Sequence, residues 1–67
     1  MTRAEFETAV EALGWVLIDG PRETSAGWRG TIQLKDDSLL MTTFAPSEQG
    51  VFRDLLRRAQ EYAQRWA

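Results

Sequence analysis

Ser47-Glu48-Gln49-Gly50-Val51-Phe52-Arg53-Asp54-Leu55-Leu56-Arg57-Arg58-Ala59-Gln60-Glu61-Tyr62-Ala63-Gln64-Arg65-Trp66 is the stretch on which the fold turns. Its apolar residues are Val51, Phe52, Leu55, Leu56, Ala59, Tyr62, Ala63 and Trp66. At 100° per residue they fall within an arc of roughly 140°, the width of a helix lying on a core. Ser47 is placed to cap that helix, and Ala45-Pro46 ends whatever precedes it. The spacing therefore predicts a helix over 47–66. Gly50 weakens its first turn, so the start can slip by a residue or two.

Working outward, the N-terminal segment predicts a second helix over 3–13. Thr2-Arg3-Ala4-Glu5 is a capping box, in which the Thr2 hydroxyl and the Glu5 carboxylate each satisfy an orphan backbone N–H. Phe6, Ala9, Val10 and Leu13 recur at helical spacing, and Gly14 is the left-handed stop. Trp15-Val16-Leu17-Ile18-Asp19 is too short for a helix and reads as a buried strand over 15–19. The following 20–27, from Gly20-Pro21 to Gly27, reads as a long loop. Trp28, Gly30, Ile32 and Leu34 alternate with Arg29, Thr31, Gln33 and Lys35, a half-buried strand over 28–35. Asp36-Asp37 forms a turn, and a third strand covers 38–44. Helix, three strands, helix is an α+β architecture: a three-stranded antiparallel meander with both helices on one face. Phe6, Val10, Leu13, Ile32, Leu34, Phe52, Leu55, Leu56 and Ala59 are expected to be buried together.

Sixty-seven residues make one domain, residues 1–67, and a chain this short buries only about 60% of its unfolded surface. It has no cysteine and no histidine, so disulfides and the usual zinc-ligand spacings are excluded, and no cofactor or metal is expected. The absence of cysteine fits a reducing cytoplasm. No apolar run approaches the ~18 residues of a membrane span, and the polar start has no signal-peptide character. Met1 and the end just after the long helix suggest a complete short reading frame. The net charge is -2, with Glu5, Glu7 and Glu11 against Arg3 at one end and a slightly basic helix at the other.

Helix, three strands and helix over this length resemble the double-stranded-RNA-binding domains, and Gly20-Pro21 is similar to that family's first strand-to-strand loop. The resemblance implies RNA contacts from the first helix, that loop and a lysine-rich start of the second helix. Here those elements carry Glu5, Glu7 and Glu11, then Arg22 beside Glu23, then Ser47-Glu48-Gln49-Gly50 with no lysine. Nucleic-acid binding is therefore expected to be weak, and a binder using Arg22, Arg29, Lys35, Arg53 and Arg57 is the rival reading.

Catalysis has little to draw on. Asp36-Asp37 is the densest carboxylate pair but occupies a turn, and the serines have no histidine to activate them. Asp54–Arg58 and Glu61–Arg65 are i, i+4 pairs in the favourable orientation, which leaves Arg53 and Arg57 without an equally good acid. The outer sheet face is the more telling feature. It should show Arg29, Thr31, Gln33 and Lys35, with apolar residues from the third strand. A two- or four-residue turn pairs Leu34 with Leu39 and turns Leu40, Thr42 and Phe44 outward; a three-residue turn exposes Leu39 and Met41 instead. The first strand adds either Trp15/Leu17 or Val16/Ile18 to that face. Such a patch marks an interaction surface. The expected partner-binding residues are Arg29, Thr31, Gln33, Lys35, Leu40, Thr42, Arg53 and Arg57. The reading is a non-enzymatic protein-binding module, in some form a homodimer, acting as an inhibitor or regulator. In size and charge it is similar to small phage-encoded anti-defence proteins, anti-CRISPR proteins among them.

Overall fold

The computed structural model describes residues 1–66. The order is helix α1 (Arg3–Ala12), strands β1 (Trp15–Thr24), β2 (Gly27–Leu34) and β3 (Leu40–Ala45), and helix α2 (Glu48–Trp66). The strands form one antiparallel meander with β2 in the centre. The α+β architecture read from the sequence is the one observed. The Trp66 side chain, expected on the helical stripe, lies outside the described part.

The capping signals act as written. Glu5 N–H donates to Thr2 Oγ1 at 3.1 Å and Thr2 N–H to the Glu5 carboxylate at 2.7 Å. Gly14 sits at φ 90°, so the chain reverses there at no steric cost. At the other helix, Gly50 N–H donates to Ser47 Oγ at 3.1 Å, and α2 begins one residue later than expected.

The core gathers Phe6 and Val10 of α1, Trp15 and Ile32 of the sheet, and Val51, Phe52, Leu55 and Ala59 of α2. Phe6 stacks on Phe52 with ring centroids 4.6 Å apart, which locks the two helices together. Trp15 meets Tyr62 edge-on at 5.5 Å. Trp15 and Val51 are fully buried and were not among the expected core, whereas Leu13, Leu34 and Leu56 are only partly buried. Gly30 sets how closely α2 approaches β2: a Cβ there would lie 2.7 Å from Val51 Cγ1 and 3.4 Å from Leu55 Cδ1. Nothing larger than hydrogen fits at that position with the helix where it is.

The expected loop 20–27 is instead the far half of a long hairpin. β1 continues to Thr24 and turns through Ser25-Ala26, with Thr24 opposite Gly27. The Gly20-Pro21 signal is real but serves a different end. Register shifts between Leu17 and Asp19 and between Asp19 and Arg22 are bulges, which absorb the glycine and proline on an edge strand. Gly20 has φ 71°, and a Cβ there would collide with the Arg29 carbonyl oxygen. Arg3 donates to the Gly20 carbonyl at 2.6 Å, tying α1 to this bend.

The third strand starts at Leu40 rather than Ser38, because residues 35–38 are spent on the turn. Leu34 N–H donates to the Leu39 carbonyl at 3.0 Å, and Gln33 stands opposite Leu40 and Ile32 opposite Met41. This is the even-numbered turn, the register that sends Leu40, Thr42 and Phe44 outward.

Candidate functional site

In β3 the outward residues Leu40, Thr42 and Phe44 are exposed, while Met41, Thr43 and Ala45 are at least partly buried. Across the central strand they oppose Gln33, Thr31 and Arg29, and these in turn oppose Val16, Asp19 and Arg22 of β1. The first strand thus contributes Val16 and Ile18 to this face, with Trp15 fully buried on the other side and Leu17 packed against the core. Ile18 is the extra residue of the first bulge. Leu40 is 54% exposed, Phe44 59% and Ile18 49%, the largest apolar exposures of the sheet.

The polar residues between them are mostly paired, although the buried Arg29 Nε has no hydrogen-bond partner. Thr31 and Thr42 share a hydroxyl hydrogen bond of 2.9 Å. Arg29 Nη2 reaches the Asp19 carboxylate at 2.8 Å, and Arg22 reaches the same oxygen at 3.4 Å. Gln33 donates to the Asp37 carbonyl at 3.2 Å. Lys35 lies beyond the end of β2, exposed in the turn, its N–H held by the Gly14 carbonyl at 2.9 Å. A face whose polar groups are mostly paired within the chain offers a partner chiefly apolar area and shape.

Arg53 and Arg57 stand elsewhere, on α2. With Met1, Gln49, Phe52, Leu56 and Gln60 they line an open groove of about 540 Å³. The expectation that Arg57 lacks a good acid is corrected. Arg57 donates to Asp54 at 2.6 Å and to Glu61 at 2.8 Å, bridging both carboxylates along the helix. Asp54–Arg58 is present but long, at 3.8 Å, and Glu61 turns to Arg57 in place of Arg65. The eight expected contact residues therefore divide: Arg29, Gln33, Leu40 and Thr42 share the sheet face, Thr31 lies on it but is buried rather than exposed as expected, Lys35 sits at its end, and Arg53 and Arg57 belong to the groove.

One polar cluster escaped the sequence reading. Asp54 accepts from the Thr43 hydroxyl, buried between β3 and α2, as well as from Arg57. The Thr43 hydrogen bond, aided by Arg57 and Arg58, holds the Asp54 carboxyl below the usual aspartate range. Arg58 completes the tie by donating to the Thr42 carbonyl at 3.1 Å. The only hint in the sequence was a threonine on the apolar side of a strand. The cluster anchors helix to strand and presents no open chemistry.

No protein-family model, curated protein or solved structure matches this chain. No helix among the described residues is long and apolar enough to cross a membrane.

Proposed function

We propose that this protein is a non-enzymatic binding module that docks another protein onto the outward face of its sheet, as an inhibitor or regulator does. The observation that carries the reading is the exposure of Leu40, Phe44 and Ile18 around polar neighbours most of which are paired within the chain. Exposed apolar area on a sheet face contributes little to the monomer, and covering it gains about 25 cal/mol per Å² before association costs.

The nucleic-acid rival draws less support. Arg22 and Arg29 are committed to Asp19, and Arg57 to Asp54 and Glu61. The start of α2 carries Glu48, and the first hairpin has only a short turn to offer. Phosphate recognition relies on clustered cations free to meet it.

The test replaces Leu40 by Glu. The thermal melt of the monomer should stay within about 0.5 kcal/mol of the parent, as surface changes do. Capture of binding proteins from the native host, and self-association, should both fall. Unfolding of the variant would place Leu40 in the core. Unchanged capture and unchanged self-association would remove the sheet face from function.

A further inference from the structure

The meander has two edges, and they are built differently. β1 is interrupted by two bulges and by Pro21, which has no N–H to offer a neighbouring strand. β3 runs unbulged from Leu40 to Ala45 against β2. Natural sheets guard open edges with charge, proline or bulges, most often lysine. From Ser38 to Ser47 this chain has no charged residue at all, although 27% of its residues are charged.

The backbone polarity of that edge follows from the register. Leu34 N–H bonds the Leu39 carbonyl, so in an antiparallel ladder positions 39, 41, 43 and 45 turn their polar groups toward β2. Leu40, Thr42 and Phe44 turn theirs to the open side. Arg58, donating to the Thr42 carbonyl from α2, marks that direction. The residues with outward side chains are thus also the residues whose backbone groups face the open edge, the Thr42 carbonyl already accepting from Arg58.

Their order is symmetric about its middle: apolar Leu40, polar Thr42, apolar Phe44. We propose that β3 is the docking strand for a second copy of this chain, paired antiparallel about a twofold axis at Thr42. The inference rests on the protein-contact reading above and names the partner. In that arrangement Thr42 faces its own counterpart, and Leu40 of each copy faces Phe44 of the other. The aliphatic–aromatic pairs are of the kind that stabilises cross-strand neighbours. The two sheets become one, and the apolar residues on both outward faces form a continuous band.

A second copy is the occupant that this edge fits. The side chains from 38 to 47 carry no charge that would select an acidic or basic segment, and Arg58, which reaches the edge at Thr42, already faces Asp54, whereas the apolar–polar–apolar order of the strand is complementary to itself. An isologous interface needs that property. The strand is short, so the contact falls below the area of a standard stable interface and the dimer is weak, with a dissociation constant in the micromolar range or above. The Thr42 carbonyl has a second lone pair for the incoming N–H, so Arg58 need not leave it.

The experiment uses the whole chain and sedimentation equilibrium. The parent should show a monomer–dimer equilibrium that does not weaken with salt, because the charges that meet at the axis, the two Arg58 guanidiniums, are alike. Thr42→Lys and Thr42→Glu each set like charges opposite one another across the axis, and each should weaken the dimer about fivefold. An equimolar mixture of the two should recover a heterodimer at least as tight as the parent. Melting curves of each variant establish that the fold is intact. A parent that stays monomeric up to ~1 mM overturns the proposal, as does a mixture no tighter than its components. If the parent is monomeric but Leu40→Glu still loses capture of a host protein, the protein-contact reading stands without the second copy. If neither association nor capture responds, both fall.

Discussion

Gly30→Ala tests the tightest contact in the fold. The added methyl would lie 2.7 Å from Val51 Cγ1, well inside van der Waals contact, and 3.4 Å from Leu55 Cδ1, which is ordinary contact. Gly30 has no unusual φ, so the substitution carries no backbone strain. Its effect divides into overpacking of about 1–3 kcal/mol and a stabilising loss of unfolded-state freedom of about 0.4–1 kcal/mol. The net expectation is a loss of about 1–2 kcal/mol, or a fall in Tm of about 4–16 °C for a domain of this size. Val51→Ala removes the opposing atom and leaves a gap, costing about 2 kcal/mol alone. Combined, the new methyl fills part of the vacated space, so the double variant should be about 1–2 kcal/mol more stable than the sum of the two losses. Urea denaturation of the four proteins, read by tryptophan fluorescence, closes the cycle. Additivity within about 0.5 kcal/mol would refute the claim that Gly30 and Val51 fix the distance between sheet and helix.

Three further outcomes follow from the same contacts. Leu55→Ala, at a fully buried position, should cost about 2–5 kcal/mol, and an unchanged urea midpoint would remove Leu55 from the core. Because the folded Asp54 pKa lies below its unfolded value, its contribution to stability is present above about pH 3.9 and is lost as pH falls through the folded pKa. Thr43→Val removes the main cause of the shift and should flatten that part of the acid-denaturation curve; identical curves for parent and variant would discount the hydrogen bond. Duplex RNA should show no submicromolar binding by fluorescence anisotropy at about 0.15 M salt, and a tight, steeply salt-dependent isotherm would promote the nucleic-acid reading.

The sequence announced what local chemistry controls and missed what the tertiary fold reassigns. The Thr2–Glu5 capping box and the Gly14 stop depend on neighbours in the chain, and both are found as read; the strand from Trp28 to Leu34 is present, but its burial does not alternate, since Thr31 is buried along with Gly30 and Ile32. Gly20-Pro21 misled because a glycine and a proline announce a bend without saying whether pairing resumes beyond it. Here Arg22 to Thr24 pair again across from Arg29 to Gly27. The register of β3 was open because Asp36-Asp37 suits several turn lengths; the Leu34–Leu39 hydrogen bond selects one. Arg57 was misassigned by spacing. Asp54 lies three residues before it and Glu61 four after, so a single guanidinium competes successfully for both acids. The burial of Trp15 is not legible in the sequence, because a continuous apolar run does not reveal which face of its strand points inward. Of the site, the outward trio in β3 was legible as one of two alternatives. The mutual bonding of Thr31 with Thr42 and of Arg29 with Asp19 was not, since it pairs residues on different strands.

The unequal edges also bear on how far assembly can proceed. An uncharged, β-prone segment such as 39–45 is a hazard wherever strands can stack without limit. Polymerisation needs a donor side and an acceptor side on every subunit, so that each addition leaves a fresh end. This sheet has a single joinable border: the other is broken by Pro21 and two bulges. Joining one β3 to another consumes the open border of both molecules and leaves no growing tip. On the proposed β3 pairing, the Gly20-Pro21 bend would act as a chain terminator, keeping a sticky strand from seeding fibres.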